Sequence, residues 1–356
     1  MQIQIGRDMV RHALEVPTKS SVRKAGDKLK DPTLEQAEAL EILSKWRALH
    51  SYPINTFQAT LRGKVDTLGL KKAIIAQRLK RLPSIISKLQ RINGMKLDRM
   101  QDIGGVRIVL SSIKDVYALY ENLLQSNRRF EHEPQLPPKD YIQQPKPDGY
   151  RCLHQVFKYK SRTHPELNGL CIELQIRTHL QHAWATAVET LGIVEKSSFK
   201  TGEGSEDFKT FFKLTSALFS IKEGTPILDE YSHYSVDELK EKTLLLEQKL
   251  QVFIKLTGLS ITNRHIESTT IESVDYHLVE LSKVDDMWRV SLTPFTKAQL
   301  DLAEQMYEVR EQKTKNDPNA DVVLVSVGSL KQLKKAYPNY FLDTEEFIKQ
   351  LSNILK

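Results

Sequence analysis

A carboxylate, an amide and a guanidinium occur at alternate positions in one short run of the chain. Between Leu170 and Arg177, the polar residues Glu173, Gln175 and Arg177 alternate with leucine and isoleucine. Such alternation indicates a β-strand, in which side chains two positions apart share a face. The three polar groups would therefore share one surface, where they could bind a charged ligand. A solvated strand face is the alternative, because polar alternation is ordinary in half-buried sheets.

A second candidate for chemistry lies before another predicted strand. Asp102 is followed by Gly104 and Gly105 and then by a run of valine, isoleucine and leucine that ends at Leu110. Glycine beside a strand lets the backbone come close to a ligand. The aspartate and the glycines together indicate a binding or catalytic position.

Positive charge is concentrated between Leu61 and Met100. This segment holds eleven basic residues against two aspartates and so carries +9, whereas the whole chain carries +7. Such a density suits a polyphosphate or the phosphates of a nucleic acid, whose counterions it releases. A solvated basic helix face is the alternative.

The elements that would position these groups are a mixed sheet and the helices packed on it. A helix is predicted from Pro32 to His50, with Asp31 as its N-cap, and an apolar stripe extends from Leu70 to Leu89. The prolines of Pro134 to Tyr141 indicate a surface loop. Thr178 is predicted to cap a helix after the polar strand. This order of strands and helices predicts an α+β fold with a mixed sheet flanked by helices.

The C-terminal part is predicted to be a separate α+β interaction module without a catalytic constellation. Glu223 to Glu230 is a candidate linker, and Ser235 opens a long helix through a capping box that is expected to end at Gly258. Residues 275–295 alternate as a hairpin. The predicted parts are an N-terminal helical arm (1–50), a catalytic domain (51–222), a linker with a connecting helix (223–258) and a C-terminal regulatory domain (259–356).

Composition indicates a cytoplasmic protein without membrane contact. No apolar run approaches the roughly 18 residues that span a bilayer, and the first residues lack a signal-peptide core. Cys152 and Cys171 are too few for a disulfide framework or a zinc site, so both are predicted to be core residues.

Five short motifs, in this order along the chain, resemble the RelA/SpoT synthetase family. They are Arg78-x-Lys80, Lys88-x-x-Arg91, Asp102-Ile-Gly-Gly-x-Arg107, Lys146-x-x-Gly-Tyr-Arg-x-x-His154 and Glu173-x-Gln-Ile-Arg-Thr178. The resemblance covers roughly residues 51–191 and is specific because the motifs occur together. It implies a nucleotidyltransferase-like fold and transfer of pyrophosphate from ATP to a ribose 3′-hydroxyl. No histidine is followed by aspartate, so the hydrolase signature of the long family members is missing.

The resemblance also implies roles for individual residues. Asp102 and Glu173 would bind Mg²⁺, and Glu173 would accept the hydroxyl proton. The residues that would bind ATP are basic: Arg78 and Arg107 beside the adenine, and Lys80, Lys88 and Arg91 on the phosphates. The residues that would bind the acceptor are Lys146, Tyr150, Arg151, His154, Gln175 and Arg177, with Tyr150 stacked on the base. For Arg151 a purely structural role stays open.

A narrower resemblance comes from Tyr337-Pro-Asn-Tyr340. This Tyr-x-x-Tyr motif, at the end of a synthetase-bearing chain of this size, is similar to that of CapRel, a group of fused toxin–antitoxin proteins in bacterial antiphage defence. It implies that Tyr337 and Tyr340 occupy the adenine site until a phage major capsid protein binds the C-terminal domain. An aromatic ring between guanidinium groups would replace the cation–π contacts of adenine. The alternative is that both tyrosines pack their own small helix.

The activity implied by this resemblance is pyrophosphate transfer to the 3′-hydroxyl of the tRNA CCA end, which stops translation. The basic segment would then guide the acceptor stem. The alternative is a small alarmone synthetase that makes (p)ppGpp from GDP or GTP, and the motifs of the ATP site do not separate the two. A catalytically inactive binding protein is disfavoured because Asp102 and Glu173 are both present.

Overall fold

Two β-sheets, each with helices packed against it, form the described part of the chain. The computed structural model describes residues 16–125, 130–195, 205–262, 274–284, 287–314, 317, 320–326, 333–335, 337–341 and 343–356. Within these residues, a five-stranded mixed sheet precedes a three-stranded antiparallel sheet. The predicted α+β class is therefore confirmed. No helix in these ranges has the length and apolar character needed to cross a membrane.

The first sheet has the spatial order β1-β2-β5-β4-β3. Its strands are β1 (Ile74–Leu79), β2 (Gly104–Leu110), β3 (Glu133–Asp140), β4 (Leu153–Lys158) and β5 (Cys171–Thr178). β2 and β5 pair in parallel, and the other neighbours pair antiparallel. The predicted polar strand is confirmed as β5, whose Ile172, Leu174 and Ile176 are buried in the core.

Helices cover this sheet and continue its core. They are α1 (Lys19–Lys28), α2 (Ala37–Ala48), α3 (Ser51–Thr67), α4 (Leu82–Arg91), α5 (Ile113–Leu124), α6 (His179–Val194) and α7 (Glu206–Glu223). Val22, Leu29 and Leu43 are buried in the same apolar cluster as Ile108 of β2. The described part of the predicted N-terminal arm thus packs into the core of the first sheet.

The second sheet has the order β7-β6-β8. Its strands are β6 (Tyr276–Val284), β7 (Met287–Phe295) and β8 (Ala320–Val325), and the remaining helices are α8 (Val236–Leu250), α9 (Val252–Thr262), α10 (Leu300–Thr314) and α11 (Glu345–Leu355). The antiparallel pair β6–β7 confirms the predicted hairpin. The capping box is also confirmed, since the Ser235 N–H donates to Glu238 Oε2 at 2.7 Å and the Glu238 N–H donates to Ser235 Oγ at 3.3 Å.

Two predicted helix boundaries are wrong. Asp31 does not cap a helix, because its Oδ1 accepts hydrogen bonds from the N–H and the hydroxyl of Thr33 in a turn, and α2 begins only at Ala37. The helix predicted to continue to Gly258 is interrupted at Gln251, whose φ of 52° is left-handed. In both places, local side-chain and backbone geometry overrides the apolar periodicity.

Two further sequence patterns have a different structure from the one expected. The apolar stripe from Leu70 to Leu89 is divided between β1 and α4, so it supplies two elements. The proline-rich run Pro134 to Tyr141, predicted to be a loop, largely forms β3. β3 is an outer strand with an irregular register between Gln135 and Lys139, and outer strands tolerate prolines because one edge needs no partner.

The C-terminal region, defined as the chain from residue 274 onward, packs against β1. A buried cluster joins Ala76 of β1 to Val279, Val323 and Tyr337 of this region. Gln58 Nε2 of α3 donates to the backbone oxygen of Ser326 at 3.1 Å. The outer strand of the first sheet is therefore covered by the C-terminal region.

Candidate active site

One face of the first sheet brings together most of the predicted site residues. In the parallel pair β2–β5, Gly105 lies opposite Glu173 and Arg107 lies opposite Gln175. In the pair β4–β5, His154 also lies opposite Gln175. Residues opposite each other in neighbouring strands share a face. A carboxylate, an amide, a guanidinium and an imidazole therefore meet on this surface.

A continuous set of hydrogen bonds joins Tyr150 to Arg107 across this face. His154 Nε2 lies 3.0 Å from Tyr150 Oη, and His154 Nδ1 lies 3.1 Å from Glu173 Oε1. Gln175 Nε2 donates to Glu173 Oε2 at 2.7 Å, and Arg107 Nε donates to Gln175 Oε1 at 3.4 Å. Each side chain thus fixes the orientation of the next.

The charges of this set are defined by its internal contacts. Burial by itself raises the pKa of Glu173, but the hydrogen bond and the charge of His154 lower it to about 2. Burial opposes a charge on His154, yet Tyr150, Cys152 and Glu173 raise its pKa well above 6.5. At neutral pH an imidazolium therefore donates to a carboxylate on one side and to a phenol oxygen on the other.

Asp102 forms a second charged centre where β1, β2 and α4 meet. Its Oδ2 accepts hydrogen bonds from Lys80 Nζ at 3.0 Å and from Lys88 Nζ at 2.8 Å. Burial alone raises the pKa of Asp102, but the two ammonium groups outweigh this effect and hold the pKa below its usual value. Asp102 is therefore a carboxylate, as a metal ligand must be.

The donor atoms present fit a magnesium ion that also binds substrate phosphates. Asp102 Oδ1 is buried and has no hydrogen-bond partner among the described residues. Glu173 lines the same cavity. One or two carboxylates, completed by phosphate oxygens and water, are the usual ligands of Mg²⁺ in phosphoryl-transfer sites. In the described ranges, no group of three or more His, Cys, Asp or Glu residues could hold a metal by itself.

Tyr337 of the C-terminal region lies in this cavity. Its side chain is buried with Ala76, and its hydroxyl donates to the backbone oxygen of Gln77 in β1. Tyr337, Arg107 and Asp102 line the same space, which has a volume of about 70 Å³. Ligand pockets usually measure about 300–1,000 Å³. The cavity beside Asp102 is therefore much smaller than a typical ligand pocket.

A second contact holds the segment that carries Tyr337. His182 Nδ1 accepts a hydrogen bond from Arg177, and His182 Nε2 donates to the backbone oxygen of Lys335 at 3.2 Å. Burial first, and the nearby Arg177 in addition, lower the pKa of His182 well below its usual value. A neutral imidazole has one donor and one acceptor, as these two contacts require. Arg177, predicted to bind the acceptor, thus supports the C-terminal segment.

Arg151 is directed into the protein interior. Only 4% of it is exposed; Nε donates to Ser216 Oγ at 3.1 Å and Nη1 donates to the backbone oxygen of Pro226 at 2.6 Å. Burial lowers its pKa to about 10. These contacts connect the start of β4 with α7 and the chain after it. They agree with a structural role for Arg151, which was the alternative to acceptor binding.

Lys146 orients the ring predicted to stack on the acceptor. Its Nζ lies 4.7 Å from the ring centroid of Tyr141 and 5.0 Å from that of Tyr150. The ammonium group therefore makes cation–π contacts with both rings. This arrangement places Lys146 beside the acceptor half of the predicted site.

For the remaining predicted residues, the structure describes some side chains but not others. Arg91 is exposed at the end of α4, one turn after Lys88, so both point from the same side of the helix. The backbone of Arg78 pairs with Gly105, but its side chain lies outside the described part of the structure. The side chain of Tyr340 also lies outside it. The predicted adenine contacts of Arg78 and Tyr340 stay predictions.

The two glycines after Asp102 have different roles. A Cβ on Gly104 would lie 3.0 Å from the Cβ of His50 and 3.1 Å from Cδ1 of Ile54, so this glycine permits packing of β2 against the start of α3. Gly105 lies opposite Glu173 on the site face. Only Gly105 is therefore positioned to let a ligand approach the backbone.

Two residues reach the site or its surroundings through tertiary contacts that the sequence does not predict. His182 binds the segment around Lys335, and Asn55 Oδ1 accepts a hydrogen bond from Gln77 Nε2 at 2.7 Å. Neither contact has a local sequence signal, because each joins elements that are distant in the chain.

Solved structures similar to this chain include two bacterial proteins. One is small alarmone synthetase 1 from Bacillus subtilis bound to its product pppGpp, with 24% identity and a TM-score of 0.43 over 49% of this chain and 90% of that one. The other is a GTP pyrophosphokinase family protein from Streptococcus pneumoniae, with 22% identity and a TM-score of 0.42 over 59% of this chain and 98% of that one.

Sequence relatives and a family model match the part of the chain that carries the site. Two GTP pyrophosphokinases of Bacillus subtilis, YwaC and YjbM, are 35% identical over 144 residues and 31% identical over 140 residues. These matches span 34% and 37% of this chain and 66% and 64% of the relatives, just under two thirds of their length. Residues 77–203 match the model of the region found in RelA/SpoT proteins. The chain therefore contains a RelA/SpoT-like domain around residues 77–203.

Proposed function

We propose that this chain transfers pyrophosphate from ATP to a ribose 3′-hydroxyl and that its own C-terminal region inhibits this activity by closing the ATP site. The observation that carries this proposal is Tyr337, which lies in the same cavity as Asp102 and Arg107 and leaves about 70 Å³ of space. The relatives named GTP pyrophosphokinase support the class of reaction.

The ATP half of the site follows from the basic residues around Asp102. When Tyr337 leaves, the guanidinium of Arg107 can stack on adenine, together with Arg78. Lys80 and Lys88, which neutralise Asp102 in the closed chain, can then bind phosphate oxygens. Mg²⁺ bound by Asp102 and Glu173 would neutralise charge on the phosphates and align them.

The acceptor half follows from the hydrogen bonds around Glu173. Tyr150, oriented by Lys146, can stack on the base of the acceptor. Glu173 is ionised and can accept a hydrogen bond from the 3′-hydroxyl, while His154 keeps the carboxylate in place. The 3′-oxygen forms a bond to the β-phosphorus, the bond from that phosphorus to the oxygen of the α-phosphate breaks, and AMP leaves. With a pKa of about 2, Glu173 aligns the hydroxyl for attack, and the hydroxyl proton is released to solvent as the bond to phosphorus forms.

The proposed acceptor is the CCA end of tRNA, whose modification would stop translation. Several basic residues of the segment from Leu61 to Met100 are exposed: Arg62, Lys71, Lys72, Arg91 and Arg99. Exposed positive charge is suited to the phosphates of an acceptor stem. GDP or GTP is the second candidate acceptor, and the names of the relatives favour it. In that case the chain is an alarmone synthetase that makes (p)ppGpp.

The proposed trigger is a phage major capsid protein that binds the C-terminal region in the cytoplasm of an infected cell. Its binding would withdraw the segment from Lys335 to Phe341, so the chain would act as a fused toxin–antitoxin of the CapRel type in antiphage defence. The contacts of this segment with Gln77 and His182 are hydrogen bonds, which a competing partner can break. Tyr340 belongs to the same segment and is proposed to act with Tyr337.

The test is a product analysis with γ-labelled ATP, bulk tRNA and GDP. Wild-type protein is assayed with and without candidate capsid proteins, and Tyr337→Ala is assayed without them. Label on the tRNA 3′ end from Tyr337→Ala, and from wild type only with a capsid protein, is the expected result. Label on GDP with unmodified tRNA would contradict the proposed toxin and support the alarmone synthetase in its place. Absence of label on either acceptor from Tyr337→Ala would contradict the proposed activity.

A further inference from the structure

We infer that Glu311 of α10 is a positioning residue for the ATP site, because it caps the helix that carries Lys88. The C-terminal region would then support ATP binding through one residue while it blocks the site through another. This inference rests on the proposed function, since it takes the Asp102 cavity as the ATP site.

Helix α4 has no N-terminal cap from its own sequence. Its N-cap residue is Arg81, whose side chain makes no capping hydrogen bond, and Pro83 in the first turn has no N–H. The N–H of Leu82 instead donates to Glu311 Oε1 at 2.8 Å, across 229 positions of the chain. A carboxylate at this end of a helix satisfies an unpaired donor and interacts favourably with the helix dipole.

Glu311 is held in place by two further groups. Arg47 Nη1 donates to Glu311 Oε2 at 2.6 Å, and Tyr307 Oη donates to Glu311 Oε1 at 3.1 Å. The guanidinium of Arg47 also lies 5.0 Å from the ring centroid of Tyr307. The side chains of Arg47 and Glu311 are only 2% and 4% exposed. The carboxylate therefore has one fixed orientation relative to α4.

The start of α4 determines where the phosphate-binding lysines lie. Lys80 lies two residues before the helix and Lys88 lies about two turns into it, and both donate to Asp102 Oδ2. Arg81, between β1 and α4, also contacts Asp321 of β8. Fraying or rotation of the first turn of α4 would displace Lys88 from Asp102.

The contacts of Glu311 are separate from those of Tyr337. Glu311 contacts α2, α4 and α10, whereas Tyr337 is buried against Ala76 on the face of the sheet. Withdrawal of Tyr337 therefore does not require loss of the Glu311 contacts. The open, active chain would keep α10 docked.

The test uses full-length protein in the Tyr337→Ala background, in which activity can be measured. Arg47→Leu and Glu311→Leu are combined so that neither charge is left buried without its partner. We expect the KM for ATP to rise about tenfold, as for the loss of a hydrogen bond to a charged group, while kcat and the KM for the acceptor change less than about threefold. If Glu311 only neutralises Arg47, the apolar pair keeps the parental KM for ATP, and that result overturns the inference.

Arg310→Ala is the matched control on the same helix. Arg310 Nε lies 3.6 Å from Glu280 Oε1 and contacts the second sheet, so its loss should leave the KM for ATP unchanged. Thermal unfolding confirms that each variant is folded. If the double variant does not fold, Tyr307→Phe removes one donor to Glu311 and should raise the KM for ATP by about threefold, and an unchanged KM again overturns the inference.

A failure of the inference about Glu311 can be distinguished from a failure of the proposed function. If the Tyr337→Ala background labels no acceptor, the proposed function fails. Binding of a non-hydrolysable ATP analogue then tests Glu311 by itself. An increase of about tenfold in Kd for the combined Arg47→Leu and Glu311→Leu variant supports its role, and an equal Kd contradicts it.

Discussion

The proposed acceptor half of the site is held together by residues of the RelA/SpoT-like domain alone, whereas the proposed ATP half is shared with the C-terminal region. Tyr150, His154 and Glu173 bind one another within the RelA/SpoT-like domain. The surroundings of Asp102, in contrast, include Tyr337 and the Glu311-capped helix α4. Under the proposed function, a contact from the C-terminal region changes access of ATP to the site and leaves the proposed acceptor half assembled. Control of this kind needs no rearrangement of the sheet.

The largest expected effect comes from breaking the acceptor half. In the Tyr337→Ala background, Glu173→Gln should lower product formation by about 10³-fold, because the group that aligns the hydroxyl loses its charge. Initial rates with γ-labelled ATP measure this loss. Glu166→Gln makes the same change at an exposed carboxylate beside His164 and should have no effect. A Glu173→Gln rate within tenfold of its parent would remove Glu173 from the reaction.

The second-largest effect is expected from opening the proposed ATP half of the site. Tyr337→Ala should raise activity in the absence of a partner by about 10²-fold, as expected for the loss of a large buried side chain. Tyr337→Phe keeps the packing against Ala76 and loses the hydrogen bond to Gln77, so its gain should be about tenfold or less. Tyr52→Ala, at a tyrosine that is 46% exposed, serves as the control. Equal rates for all three variants and wild type would mean that Tyr337 does not limit access.

A smaller effect is expected on the pH dependence of activity, which tests the charges of the proposed acceptor half apart from its packing. His154→Gln, in the Tyr337→Ala background, removes the main group that lowers the pKa of Glu173 to about 2, so this pKa should return toward 4.5. A carboxylate with a lowered pKa stays negatively charged even at acidic pH. The parent should therefore hold its Glu173 charge at pH 5, and the variant should lose activity as pH falls through 5 to 4. Rates across this range, corrected for the folded fraction, test the assignment; parallel profiles would contradict it.

The smallest expected effect concerns acid stability outside both halves. Burial lowers the pKa of His132, which is stacked on Phe57 at 4.6 Å between ring centroids, to about 4. Between pH 6.5 and pH 4 the unfolded chain binds a proton that the folded chain does not, so stability falls as pH falls. His132→Phe should reduce this dependence by about 1.4 kcal/mol per pH unit. Urea unfolding at pH 7 and pH 5 measures the difference, and an unchanged pH dependence would show that His132 is protonated in the folded chain.

Patterns that depend on neighbouring residues were predictable from the sequence. β5 with its shared polar face, the capping box at Ser235 and the β6–β7 hairpin all have local signals, and the structure has each of them. The helix start predicted at Asp31 is wrong because the same side-chain oxygen can serve a turn as well as a helix start. The loop predicted for the proline-rich β3 is wrong because the sequence does not say which strand is outermost.

The arrangement of the site depends on pairings that a sequence read without homologues does not specify. Gly105 and Glu173 meet only because β2 pairs with β5 in parallel. The resemblance to a family supplied the set of residues, but Arg151 belongs to it by motif and contacts α7 in the structure. Glu311 and His182 had no signal, because a carboxylate on an amphipathic helix and a histidine near a tryptophan are ordinary surface and core residues.

The Arg47–Glu311 pair has a consequence for recombination between related genes. Its members are 264 positions apart, one before and one after the RelA/SpoT-like domain. A crossover that replaces only the C-terminal region leaves a buried charge without its counterpart unless the incoming sequence has an acid at the same place. C-terminal regions of such chains should therefore be exchanged together with an α2 that carries a compatible residue at position 47, and artificial hybrids should be designed with both ends taken from one parent.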